Sequence, residues 1–381
     1  MSEYTKKKKL VWVTPDDFMD TDFNPDLFRL LLNMYTIEWI IILPESGSRF
    51  KESDFKELKT VDGLDIQFIY SRYRQRDPRR LFFYISLYRR INRIKHDLLY
   101  FSYGPGDPYV IPLFWALNKN KTIFSVHEGN VNENYKLPFI SKIILGATYP
   151  FVKYVHMFSP SSANIFHKKY PNAKIFTIPF GLKSFGESKL SKNPDNIIFL
   201  SFGIINYAKN IDLLIEAACN IYEQGHRGFK ISINGSCANW DFYRSKMRYP
   251  EIFICDIRKI ENAEIPDLFG SSHYLVQPYR ATSQSGVLKI AFNYNIPIIA
   301  SDLPGFRDEI EEGVNGFFFR KTDIKDLERV LISVLNGHDS GYAELLKKMH
   351  NHTLLHNSAD TLNARYMSMF NDVSANGNQA I

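Results

Sequence analysis

Leu275-Val276-Gln277-Pro278-Tyr279-Arg280-Ala281-Thr282-Ser283-Gln284-Ser285-Gly286-Val287 is the stretch on which the fold turns. The apolar run that closes at Pro278 reads as a short buried strand, the polar residues after it as a turn, and Ser285-Gly286 as a helix opening. Serine is a preferred residue at the start of a helix, and the free amides of Gly286 and Val287 then point beyond the strand ends. Helix starts of this kind bind phosphate through unpaired N–H groups and the helix dipole. Residues 297–301 read as the next strand, followed by the turn Asp302-Leu303-Pro304-Gly305, and Gly313-Val314-Asn315-Gly316 leads into another strand. Strand, turn, helix and strand in this order describe a parallel α/β sheet.

Upstream, 197–202 is a strand that runs into Phe202-Gly203-Ile204-Ile205-Asn206-Tyr207-Ala208-Lys209-Asn210. Gly203 lets the backbone come close to a ligand. Lys209, at the start of the next helix, can neutralise a diphosphate. Taken singly, a capped helix and a solvated lysine are ordinary features; their weight lies in sharing one sheet edge.

The same alternation fills the chain. Strands are expected at 9–13, 38–43, 65–70, 98–103, 122–127, 155–159 and 175–178, then at 197–202, 230–234, 252–255, 274–277, 298–301 and 316–319. Helices are expected at 25–34, 79–94, 109–117 and 161–169, then at 210–223, 240–248, 286–294 and 323–335. The polar stretch 183–196 reads as a linker, which divides the chain into a first domain at 1–182 and a second at 197–355. A final helix in 356–381 is expected to pack back on the first domain and to end in a disordered SANGNQAI tail. A length of 381 residues fits two domains. Two such sheets would leave a cleft between the carboxyl ends of their strands, where α/β domains bind ligands.

Composition narrows the class. Hydrophobic residues are 45% and charged residues 23%, an ordinary globular balance. The odd set Cys219, Cys237 and Cys255 has neither disulfide nor zinc spacing and suits a reducing compartment. The apolar region 137–158 is broken by Lys142, Gly146, Pro150 and Lys153, short of the roughly 20 apolar residues a spanning helix needs. Net charge is +6, with its excess between Arg72 and Lys95, where Asp77 is the opposing acid for most of the run.

These motifs together resemble the retaining glycosyltransferase family 4, and in the Gln284-Ser285-Gly286 element its "QSG" branch. Lys209-Asn210-Ile211-Asp212-Leu213-Leu214-Ile215-Glu216-Ala217 is similar to the family's "KG-(I/V)-D-x-L-I-x-A" helix, and 297–302 to its "P-(I/V)-(I/V)-A-(S/T)-D". The likeness is strong over 196–335 and extends weakly to Val126-His127-Glu128 and Ile178-Pro179-Phe180-Gly181. It implies a GT-B fold of two Rossmann-like domains and transfer of a hexose from a nucleotide diphosphate sugar, without metal or cofactor. The acceptor it implies is a carbohydrate, in particular a lipid-linked oligosaccharide in surface polysaccharide synthesis. By the resemblance, Gly203, Asn206, Lys209, Arg280, Thr282, Gln284, Ser285, Gly286 and Val287 bind the donor, and His127, Glu128 and Lys209 are catalytic. Tyr103, Gly104 and Gly106, in a strand-to-helix loop, are expected to meet the acceptor.

The chain also departs from the family. The arginine of its basic pair falls on Ile204 or Asn206, and its two glutamates on Thr282 and Ile290, neither of which ionises. The glycine-rich loop after the first strand is replaced by Thr14-Pro15-Asp16-Asp17-Phe18. A catalytically degenerate GT-B protein serving as a binding or scaffolding subunit is therefore the alternative. Asp20-Thr21-Asp22 spells the D-x-D of metal-dependent enzymes without its context, so no metal is expected.

The segment from Arg72 to Lys95 interleaves arginines with Tyr73, Phe82, Phe83, Tyr84 and Tyr88. Its helix is expected to lay Leu81, Tyr84 or Ile85, and Tyr88 in a membrane interface, each basic residue near anionic lipid contributing about 1 kcal/mol. No nucleic-acid motif accompanies the charge. The expected location is cytoplasmic, peripheral to the inner face of the membrane.

Overall fold

The structure, a computed structural model, describes residues 7–16, 25–48, 50–74, 77–102, 107–127, 138–192, 195–282 and 284–377. The chain forms two compact units, 1–179 with 359–381, and 180–358.

The first unit contains β1 (Lys8–Pro15), β2 (Tyr35–Pro44), β3 (Leu64–Ser71), β4 (Leu98–Phe101), β5 (Thr122–Val126), β6 (Tyr154–Met157) and β7 (Lys174–Thr177). They make one sheet in the order β3-β2-β1-β4-β5-β6-β7, with every pairing parallel. Side chains alternate between faces along a strand, so Leu10 and Trp12 enter one core while Val11 and Val13 enter the other. Both faces are covered, which is why the strands read as unbroken apolar runs. Trp12 packs on Tyr100 at 4.1 Å between ring centroids, and Tyr84, Leu87 and Ile91 of the helix Arg80–Arg93 close the opposite side.

The helix Ala359–Gly377 completes this unit. Leu362, Tyr366, Met369, Phe370 and Val373 recur at helical spacing and sit in the Trp12 core. Ser374, expected in a disordered tail, is instead helical and buried, its hydroxyl 3.2 Å from that of Tyr35. One face of 370–377 is apolar enough to dock, and the polar look of the segment comes from the other.

The second unit contains β8 (Ile197–Phe202), β9 (Phe229–Asn234), β10 (Phe253–Asp256), β11 (Tyr274–Gln277), β12 (Ile298–Ser301) and β13 (Gly316–Phe319). Their order is β10-β9-β8-β11-β12-β13, again parallel throughout. The long helix Ile324–Asn357 packs Leu327, Val330, Leu331, Val334 and Leu345 on one face of the sheet. On the other face Lys289 is fully buried, ion-paired with Glu309 and 3.0 Å from Asn357 Oδ1.

Two expectations need correction. Residues 183–192 are no free linker: the Lys183 amide donates to the Lys289 carbonyl, Lys189 N donates to Asp267, and Lys192 Nζ donates to the Ser272 carbonyl. Polar side chains there satisfy the second unit rather than water. Nor is the arginine-rich helix wholly a surface. Arg80 is buried, its Nε 2.7 Å from Asp107 Oδ2 and its terminal nitrogen 2.8 Å from the Tyr84 hydroxyl, and Tyr84 faces the core. A buried ion pair holds that end of the helix. The outward side carries Phe82, Ile85, Arg89 and Arg93.

His156, on β6, is buried between the Tyr100 hydroxyl at 2.6 Å from Nδ1 and the Ile178 carbonyl at 2.9 Å from Nε2. The fitting tautomer donates Nε2–H to the carbonyl and accepts from the phenol. Burial depresses its pKa from 6.5 to about 4. Between those values the unfolded chain binds more protons than the folded one, so this contribution is full above about pH 6.5 and is lost as pH falls towards 4. The thermal stability of the first unit should therefore fall steadily as pH drops below 6.5, and His156→Gln should flatten part of that slope. A pH-independent midpoint across this range would contradict the neutral-imidazole account.

Candidate donor site at the switch point of the second sheet

In a sheet ordered third-second-first-fourth, the connections after the first and fourth strands leave in opposite directions and open a crevice at their carboxyl ends. In the second unit those strands are β8 and β11, which lie side by side with Leu200 opposite Leu275. Their following loops, 203–210 and 278–285, form the rim.

The β8 loop begins with a backbone requirement. Gly203 has φ +114, and its amide donates to the Asn234 carbonyl at 3.0 Å. A Cβ on Gly235, whose φ is +144, would lie 1.9 Å from the Gly203 carbonyl oxygen. Two glycines thus allow neighbouring strand ends to touch. The chain then turns through Tyr207–Lys209, where the Asn206 side chain accepts from the Lys209 amide at 3.3 Å, and Asn210 takes a left-handed φ of +53.

The two loops are stitched together. The Arg280 amide donates to the Ala208 carbonyl at 2.8 Å. Its guanidinium reaches the Tyr207 carbonyl at 3.2 Å and Asp212 at 3.2 Å, and lies 4.4 Å from the Tyr207 ring centroid. Lys209 Nζ stands 3.7 Å from the centroid of Tyr279, a cation–π contact, and burial lowers its pKa to about 8. Among the described residues no carboxylate pairs with Lys209.

The helix Gly286–Asn293 opens at Ser285, but not as the residue type suggests. Ser285 makes no capping bond; its hydroxyl points to Gln277 Oε1 at 3.3 Å. The first-turn amides are left without a side-chain cap. Lys183 Nζ lies 3.5 Å from where a Cβ of Gly286 would project, and Val287 Cγ2 lies 4.0 Å from the corresponding point on Gly203. A helix start, an ammonium and the β8 loop thus meet at one place. Gln277 is fully buried, and its Nε2 has no partner among the described residues.

The structure brings Gly203 close to Val287 and Lys183 close to Gly286, sets Lys209 against Tyr279 in the rim loops, and buries Gln277 beside Ser285. Lys183 was hidden by its place in a polar stretch that read as linker. Asn206, Arg280 and Thr282, read as donor ligands, use their side chains within the loops, Thr282 donating to the Gln284 carbonyl at 2.6 Å. Ile290 is 5% exposed in the core, so no side chain there reaches a ribose.

In the first unit His127 follows β5, its ring 4.6 Å from that of Phe158, and burial lowers its pKa to about 3. At neutral pH the ring is therefore the neutral imidazole. Glu128, Tyr103, Gly104 and Gly106 lie outside the described residues, as do Asp20 and Asp22. Among the described residues no cluster of His, Cys, Asp and Glu could hold a metal ion. No helix there is long and apolar enough to cross a membrane.

Residues 184–353 match the family model described as glycosyl transferases group 1. The matched residues all lie within the second unit. No curated protein matches the sequence. Among solved structures, sucrose-phosphate synthase of Thermosynechococcus elongatus aligns with TM-score 0.72 and 12% identity, over 97% of this chain and 100% of its own. Anabaena HepE in complex with UDP and glucose gives 0.69 and 13%, over 96% and 100%. A variant of S. aureus TarM with fondaparinux, α-GlcNAc-glycerol and UDP gives 0.68 and 12%, over 96% and 100%. At such identities the likeness is one of fold, and that fold is GT-B.

The touching glycines give a direct check. Gly235→Ala cannot relieve a backbone clash by turning a side chain, and strain of this kind costs about 1–3 kcal/mol. It should lower the melting temperature of the second unit and displace the Gly203 loop, seen as faster hydrogen exchange of the Gly203 amide. An unchanged protein by both measures would mean the strand ends do not meet as described.

Proposed function

We propose that this protein is a retaining glycosyltransferase that moves a hexose from a nucleotide diphosphate sugar to a carbohydrate acceptor. The observation that carries the reading is the meeting of an uncapped helix start at Gly286 with Lys183 beside it, on the sheet edge that also holds Lys209. Two phosphates need dispersed positive charge and amide donors, and this edge offers both without a metal. As the bond from the sugar to the β-phosphate breaks, charge grows on the leaving oxygen, and fixed donors there lower the barrier. The acceptor hydroxyl attacks from the side of the departing phosphate, which takes up its proton. Configuration is kept, and no enzyme nucleophile is needed. Neutral His127 would hydrogen-bond a sugar hydroxyl.

The UDP and sugar ligands of HepE and TarM favour UDP-sugars as the first donors to try. The acceptor proposed is a lipid-linked oligosaccharide of a surface polysaccharide, met at the inner face of a membrane. The exposed arginines Arg89, Arg90 and Arg93 suit such an anionic surface.

One observation favours a second reading, a binding subunit without catalysis: the buried Ile290 stands where the family holds the ribose with a glutamate. Donor hydrolysis separates the two, because a subunit of that kind releases no hexose from any nucleotide sugar.

Lys209→Ala should weaken UDP about tenfold to a hundredfold while leaving uridine nearly unchanged, since a hydrogen bond to a charged group contributes about 1.5–3 kcal/mol. Equal losses for both ligands would rule out a phosphate role. Because the Lys209 ammonium is held down to about 8, UDP affinity should fall as pH rises through that value, and Lys209→Arg should level the profile. Chelation should leave turnover intact. If chelator abolishes activity and manganese restores it, Asp20 and Asp22 become the metal site.

A further inference from the structure

The helices on one face of the first sheet expose more apolar surface than the core requires. Trp115 is 56% exposed, Phe139 75%, Ile143 54% and Phe151 50%, with Ile140 beside them at 44%. These are one patch. The Trp115 and Phe151 rings meet edge to face at 5.8 Å, and Trp115 Nε1 donates to the Ala147 carbonyl at 2.7 Å, joining the helix Ile111–Ala116 to the helix Pro138–Thr148. On the latter helix Phe139, Ile140 and Ile143 face out while Ile144, Leu145 and Thr148 are buried. Soluble proteins rarely leave contiguous apolar surface of this kind unoccupied.

Charge identifies the occupant. Neither 108–127 nor 134–186 contains a single Asp or Glu, whereas Lys119, Lys142, Lys168 and Lys169 are exposed there. The neighbouring helix Arg80–Arg93 packs against the same sheet face and turns Phe82, Arg89 and Arg93 outward. A protein partner with this apolar face would need acidic groups at its whole margin. An anionic bilayer supplies both parts at once, an acyl boundary for Trp and Phe and phosphate for Lys and Arg.

We infer that the outer face of this helical layer docks on an anionic lipid surface, with Trp115, Phe139, Ile143 and Phe151 entering the acyl boundary. The inference rests on the reading that the protein works at a membrane. It moves the apolar anchor from the arginine-rich helix, whose Tyr84 is buried, to the neighbouring helices.

The test is flotation with vesicles of phosphatidylcholine alone and of phosphatidylcholine mixed equally with phosphatidylglycerol, at low and high salt. Wild type should float with the mixed vesicles, and brominated lipid should quench its Trp fluorescence. Trp115→Phe should remove most of that quenching, since Trp12 and Trp39 are buried and Trp240 is half-buried in the second unit. Phe139→Ser/Ile143→Ser, on an exposed helix face, should cut binding about tenfold with UDP affinity and melting temperature unchanged. Arg89→Ser/Arg93→Ser should cut binding at low salt alone. If wild type ignores anionic vesicles, the membrane reading itself fails. If wild type floats and the apolar pair floats equally well, the arginines alone make the contact and this inference fails. If the pair instead turns a wild-type dimer into a monomer with vesicle binding intact, the patch belongs to a second copy and the inference is overturned.

Discussion

Everything at the candidate site depends on two parallel strands, β8 and β11, lying side by side while the chain leaves them in opposite directions. A strand pair covered symmetrically would close its own end with a helix. Here no crossover passes over the junction, so loop backbone, helix amides and lysines collect at one edge. The touching glycines after β8 and β9 extend the constraint. They bring the strand ends so close that a Cβ on Gly235 would lie 1.9 Å from the Gly203 carbonyl oxygen, which no larger residue at 235 would allow. The rim loops are then held by Arg280, whose pairing with Asp212 ties the helix after one strand to the loop after the other.

Much of this was legible in the sequence because parallel sheets buried on both faces write themselves as apolar runs. Strands 197–202, 274–277, 298–301 and 316–319 were expected at their observed limits, since each is bounded by glycine, proline or a polar turn. The helix start at Gly286 and the place of Lys209 followed from the same punctuation. The helix Pro138–Thr148 was not read: its outward face is apolar too, so no periodicity marks it.

What escaped the sequence shares a physical cause. Lys183 gains meaning only when the chain folds back so that its amide meets the Lys289 carbonyl. Lys289 and Glu309 are a charge pair in a core, invisible to any pattern that places charge on surfaces. Arg80 looked like one of a run of solvated arginines until Asp107 came to meet it. Residue type predicted Ser285 as a cap, yet the fully buried Gln277 holds its hydroxyl away. Long-range polar pairings of this sort are set by tertiary contact, and local composition carries no trace of them.

The helix Ala359–Gly377 belongs to the first unit although the whole of the second is written between them. On the ribosome this reverses the usual order, in which amino-terminal domains finish first. The sheet holding Trp12, Tyr35 and Tyr100 is synthesised early, but its cover of Tyr366, Phe370 and Val373 emerges last. The second unit has all its strands and its long helix in one continuous stretch and can mature while the first still waits. For the length of that wait, an aromatic face lies open in the cell. The nascent chain is then a natural client for chaperones, and a truncation near 358 would leave the face uncovered for good.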